Sequence, residues 1–113
     1  MAGMAVPLLQ DKVATWRAWA NELQGSRRSE FNEFNQRMGL TEHRAWLTQQ
    51  PDGPAVVVVH DGPGADGFLE KLGTSDHPFD KWFRDNISEC HGVDFSKPLP
   101  GPAPESVIDW RTK

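Results

Sequence analysis

At 113 residues the chain is long enough for one hydrophobic core and too short for two. Hydrophobic content of 37% is that of an ordinary globular chain, while five tryptophans and six phenylalanines without a single tyrosine exclude acid–base chemistry by a phenol. A net charge of −4 argues against nucleic acid or an anionic membrane as partner, and the lone basic pair Arg27-Arg28 is too small to reverse that.

The opening MAGMAVPLL has no basic segment ahead of its short apolar run, so no signal peptide is expected. No window approaches the roughly 18 continuous apolar residues of a membrane span, and a cytoplasmic protein is the expectation. Met4 to Leu9 reads as a strand in which Pro7 needs a strand end, a bulge or an unpaired position. From Asp11 to Leu23 the apolar residues Val13, Trp16, Trp19, Ala20 and Leu23 fall at helical spacing, with Asp11 as cap. Gly25 is a break or a kink. A second helix over residues 27–38 carries Phe31, Phe34 and Met38 on one face and stops at Gly39.

Thr41 to Gln49 predicts a strand, Pro51-Asp52-Gly53 a turn, and Ala55 to His60 (AVVVVH) the strongest strand of the chain, so the two strands form an antiparallel hairpin. A short helix over residues 65–72 follows. The longest apolar stripe lies in HPFDKWFRDNISECHGVD, with Phe79, Trp82, Phe83, Ile87 and Cys90 on one helical face, Ser75 or Asp76 as cap and Gly92 as stop. Residues 94–105 hold four prolines at alternate positions and are expected to run extended over the surface toward a last strand, Ser106 to Trp110.

The predicted architecture is a single α+β domain over residues 1–113, in the ferredoxin-like order β-α(α)-β-β-α(α)-β. Its antiparallel sheet carries all helices on one face, with the first and third strands side by side. Val56 to Val59 is apolar on both faces. Hiding a valine from water is worth about 1.5–3 kcal/mol, so the face without helices is expected to meet a second copy, sheet to sheet, in a homodimer.

HPFDKWFRDNISECHGVD, followed by PLPGPAPESVIDW, resembles uncharacterised bacterial proteins of the dimeric α+β barrel superfamily. The opening strand, the paired helices with SRRSEF and the WLTQQ hairpin are similar too, so the likeness spans nearly the whole chain. The wider superfamily includes cofactor-independent monooxygenases, lactone isomerases, polyketide cyclases, haem enzymes and plain ligand-binding or stress-response proteins. The resemblance implies a pocket between sheet and helices in each subunit. It transfers no catalytic residue, because no motif of those enzymes is matched position by position.

Several residue sets carry candidate chemistry. Gly62-Pro63-Gly64-Ala65-Asp66-Gly67 matches GxGxxG between a strand and a helix, the pattern of a dinucleotide loop. Asp61 and Asp66 would sit beside the pyrophosphate, and the chain lacks room for a doubly wound sheet, so a glycine-rich turn accounts for it better. His77-x-x-Asp80 and His91-x-x-Asp94 repeat a spacing compatible with metal, but the pairs lie about 20 Å apart along one helix. Helix-end electrostatics explains them instead, with Asp80 pairing Arg84 and His91 a last-turn cation. No metal and no cofactor are therefore implied. Cys90 is expected to be a buried hydrophobe, with a catalytic thiol as the alternative.

His43 and His60 fall opposite each other across the hairpin, near the mouth of such a pocket, and are the acid–base candidates. Trp16, Trp19, Trp46 and Phe83 are candidate pocket walls, against plain core as the alternative. Three functions remain open: a module binding a small apolar or aromatic ligand, a cofactor-independent enzyme (monooxygenase, isomerase or cyclase type) using His43 or His60 as base, and a protein whose dimer or proline-rich tail is itself the function. A cavity of about 300 Å³ or more touching a histidine favours the enzyme, and a fully packed core favours the third.

Overall fold

The structure is a computed structural model that describes residues 2–97 and 104–112. Among them lie three strands, β1 (Ala2–Pro7), β2 (Glu42–Gln50) and β3 (Gly53–Asp61), and four helices, α1 (Val13–Gln24), α2 (Arg28–Arg37), α3 (Phe68–Thr74) and α4 (Pro78–His91). The strands form one antiparallel sheet in the order β1-β3-β2. The first and third strands are neighbours, as expected, and β1 and β2 run parallel with β3 inserted between them. None of the helices among the described residues is long and apolar enough to cross a membrane.

Local chemistry accounts for the boundaries. Pro7 is the last residue of β1, where its missing N–H removes no rung from the interior of the ladder. The chain breaks rather than kinks at Gly25, between α1 and α2. Helix α4 begins with Pro78 in its first turn and stops at Gly92, whose φ of 69° suits a residue without a Cβ. Its cap is His77 rather than Ser75 or Asp76: the Phe79 N–H donates to His77 Nδ1 at 3.2 Å.

The register sorts the strand residues onto two faces, and β1 shows the two-residue burial period of a half-covered sheet. Met4, Val6, Ala45, Val56, Val58 and His60 face the helices, whereas Gly3, Ala5, Trp46, Val57 and Val59 occupy the opposite face. The core joins Val56, with Val58 packed against it, to Trp16, Trp19 and Leu23 of α1, Phe34 of α2, and Phe79, Phe83 and Cys90 of α4. Phe34 is its hub, stacked on Phe83 with ring centroids 4.6 Å apart and edge-on to Phe68 at 5.9 Å. Trp82 and Ile87 pack at its margin, and Arg27 lies 4.0 Å over the Trp82 ring. That guanidinium, also paired with Glu22 and Glu30, is committed within the fold.

Two further expectations are corrected. Ser106 to Trp110 forms no strand: residues 104–112 have no regular structure, and Val107, Ile108 and Trp110 are 80%, 86% and 81% exposed. The fourth strand of the ferredoxin-like order is therefore absent among the described residues. The segment bury little side-chain area on this chain, so nothing offsets the entropy of ordering it. Of the proline-rich stretch, residues 98–103 lie outside the described residues, while Asp94 to Lys97 form a turn with Phe95 buried.

Asp80 is the second correction. It does not pair with Arg84 but is buried against Arg37 of α2 and accepts a hydrogen bond from Ser75 Oγ at 2.6 Å. Arg84 instead donates to the carbonyls of Leu72, Gly73 and Ser75, closing the end of α3. A carboxylate taken out of water needs a partner, and the cation that reaches it comes from another helix rather than from the next turn.

Candidate functional site

Between the sheet and the helices lies a cavity of about 250 Å³. Its floor is Met4, Val6, Val56 and Val58, and its walls are rings: Trp16 and Trp19 from α1, Phe31 from α2, Phe68 from α3, Phe83 from α4 and Phe95 beyond it. Among the lining residues only Gln24 and Ala45 are exposed, so the cavity opens between the end of α1 and the β2 edge. An apolar cavity of about 150 Å³ can take benzene. This one has the size for a molecule of one or two rings.

His43 and His60 are paired partners across the β2–β3 ladder, and their rings meet edge-on with centroids 4.4 Å apart. Both line the cavity, and His60 is only 2% exposed. His43 Nδ1 lies 2.9 Å from Asn35 Oδ1. An amide oxygen only accepts, so Nδ1 carries the proton and His43 Nε2 presents a lone pair. His60 Nε2 is buried without a hydrogen-bond partner among the described residues, and so is the Nε1–H of Trp19. Leaving such an atom unpaired costs about 1–3 kcal/mol, which an occupant or a water returns by bonding to it.

Burial sets the charge of the pair. It lowers His43 to about 3, with the neighbouring His60 adding repulsion. Burial alone lowers His60 to about 4. At pH 7 only about one molecule in 10³ to 10⁴ carries either proton. A third imidazole, His91, also lines the cavity. Its Nδ1 donates to the Pro7 carbonyl at 2.8 Å, and burial lowers its pKa although that carbonyl acts in the opposite direction. His91 is thus a neutral tie between α4 and β1, not the last-turn cation expected from its position. Among the described residues no charged side chain lines the cavity.

Trp16, Trp19 and Phe83 therefore stand where the sequence reading puts them, around the cavity. Trp46 does not: it pairs with Val57 on the opposite face of the sheet and is 50% exposed, a consequence of lying one residue out of phase with Ala45. Phe68 was not among the sequence candidates, and His91 was weighed there as a metal ligand or helix-end cation and not as a cavity wall. His91 lies at i+8 from Phe83 and i+4 from Ile87, so the apolar stripe itself carried the signal. Phe68 opens a seven-residue helix, too short for a periodicity to mark it.

The glycine run is explained by packing. A Cβ on Gly64 would lie 1.8 Å from the Met38 carbonyl oxygen, and Gly62, at φ 116°, would meet the Gly39 oxygen at 2.6 Å. The loop is pressed onto the backbone after α2, with the Gly64 N–H donating to the Gly39 carbonyl at 2.9 Å, and the glycines serve that approach. Among the described residues no three His, Cys, Asp or Glu side chains come together as a metal site. Cys90 is buried, and burial raises its thiol pKa, the opposite of what a nucleophile needs. Compared with protein families, curated proteins and solved structures, the chain matches none.

Proposed function

We propose that this chain is a homodimeric small-molecule-binding protein that holds an apolar or aromatic ligand between its sheet and its helices. The observation that carries the reading is the ring-walled cavity of about 250 Å³ with no charged residue among its described lining residues. Apolar walls with a few convergent polar groups are the usual make-up of a ligand site. The volume is a little under the roughly 300 Å³ at which such sites begin, which restricts the ligand to one or two rings. The test is titration with naphthalene, followed by the fluorescence of Trp16 and Trp19 and by calorimetry. Saturable binding that is lost in Ala45→Phe, which blocks the mouth, supports the reading; absence of binding overturns it.

The second copy is proposed on the helix-free face, where Ala5, Val57 and Val59 lie beside the half-exposed Trp46. This is the assembly that the likeness to the dimeric α+β barrel superfamily implies. A stable interface takes about 800 Å² from each partner. Three strands at about 4.8 Å spacing and about 30 Å in length present roughly 400 Å² in projection, so the face needs further apolar surface at its rim. Val107, Ile108 and Trp110 are exposed, and the proposed dimer would draw that surface from them. Sedimentation equilibrium at micromolar concentration tests this: a dimer that Val57→Lys dissociates supports it, and a monomeric wild-type chain overturns it.

The second reading, a cofactor-independent enzyme with His43 or His60 as general base, is favoured by the imidazole pair on the cavity wall. A general base works best with a pKa near the working pH. At about 3 and about 4 these two are poor proton acceptors in the empty cavity, and binding is the stronger reading.

A further inference from the structure

The polar atoms of the cavity say more about its occupant than its walls do. Resting on the binding reading above, we infer that the ligand is a neutral hydroxylated aromatic, of the phenol or naphthol class, whose O–H lies against the His43–His60 pair.

Charge comes first. Among the described residues no lysine, arginine, aspartate or glutamate lines the cavity, and burial holds the facing His43 and His60 neutral at pH 7. A carboxylate or ammonium entering it would be desolvated without a counter-charge. Anionic and cationic ligands are thereby excluded, and ring-sized neutral ones remain.

Hydrogen bonding then selects the group. His43 is committed as an acceptor at Nε2, because its Nδ1–H is spent on Asn35. His60 has a buried Nε2 with no partner, and its one ring proton sits on either nitrogen. A carbonyl oxygen only accepts, so it meets the buried His60 Nε2 only when that nitrogen carries the proton. A hydroxyl accepts from Nε2–H or donates to a bare Nε2, so it meets His60 in either tautomer, and when Nε2 carries the proton the hydroxyl's own proton is left for the His43 lone pair. The Trp19 N–H, also buried and unpartnered, is a pure donor and fits an oxygen-bearing ligand, not a bare hydrocarbon. The rings of Phe68 and Phe83, 4.3 Å and 6.1 Å from the imidazoles of His60 and His43 respectively, give the flat body of such a ligand its stacking surface.

The experiment compares three ligands of one shape by calorimetry at pH 7: naphthalene, 2-naphthol and 2-naphthoate. The expected result is that 2-naphthol binds about tenfold tighter than naphthalene, while 2-naphthoate binds more weakly than either. In His60→Phe, whatever its affinity for naphthalene, the ratio of the 2-naphthol to the naphthalene affinity should shrink to about twofold or less, with circular dichroism checking the fold. Equal affinity for naphthalene and 2-naphthol in the wild-type protein overturns this inference and leaves the binding reading intact. Tightest binding of 2-naphthoate overturns it as well. Failure of all three to bind overturns the binding reading itself. A naphthol preference undiminished in a folded His60→Phe removes the assignment to this pair. Should that variant not fold, the wild-type comparison decides alone.

Discussion

Acidification from pH 7 to pH 5 should destabilise the fold through the two facing histidines, by an amount that follows from their burial. In the unfolded chain each imidazole titrates near 6.5, whereas in the folded chain His43 is pushed down to about 3 and His60 to about 4. Between those values the unfolded state binds the extra protons, so stability falls as pH falls below about 6.5. One pKa unit corresponds to about 1.36 kcal/mol, so 1.5 units below the unfolded value each histidine has withdrawn about 2 kcal/mol, and the pair about 4 kcal/mol. That is a large share of the roughly 5–15 kcal/mol by which a domain of this size is stable. His91, lowered in the same direction by burial, adds to the slope. Carboxylates cannot mimic it: Asp61 and Asp94 are held below their ordinary 3.8 and lose their contribution only at lower pH. The assay is urea unfolding followed by tryptophan fluorescence at pH 7 and pH 5, at one fixed protein concentration because a dimer makes the midpoint concentration-dependent. His60→Phe should remove roughly half of the pH dependence. A wild-type stability that changes by less than about 0.5 kcal/mol between the two pH values would refute the reasoning, since it would mean the imidazoles are solvated in the folded state.

Further outcomes follow from single contacts. Asp80→Ala should cost about 2–3 kcal/mol in urea unfolding, because it strands the partly buried Arg37 and the Ser75 hydroxyl; the cost is below that of a fully buried pair because the Arg37 side chain is 32% exposed. Gly64→Ala should lower stability by more than about 2 kcal/mol, since the new methyl has the Met38 carbonyl in its place and backbone must move on both sides. Deleting residues 104–113 should leave the thermal midpoint of the folded unit within a few degrees, because residues 104–112 are exposed, yet weaken the proposed dimer in sedimentation; a collapse of the fold would show that the tail is packed as a strand after all.

The chain's periodicities carried the fold as far as its own side chains decide it. Trp16, Trp19 and Leu23, then Phe79 and Phe83, announce helices because a 3.6-residue period cannot be satisfied by any other element, and AVVVVH announces a central strand because both of its faces are apolar. The hairpin turn fixes register, so the meeting of His43 with His60 was legible as arithmetic before any coordinates. Long-range polar contacts were not. The pairing of Asp80 with Arg37 joins residues 43 apart, and a helical spacing argument sees only Arg84, four residues away. Trp46 shows a different limit, for one residue of phase decides whether a ring lines the cavity or the opposite face, and an aromatic pattern without the strand's alternation misses it. Ser106 to Trp110 has strand composition, but composition orders a segment only where there is apolar surface to receive it, and on this chain its side chains stay in water. The same surface requirement links the tail to Val57 and Val59: all are apolar, the tail is exposed and the two valines are only half-buried on this chain, and the proposed second copy is the surface that would receive both.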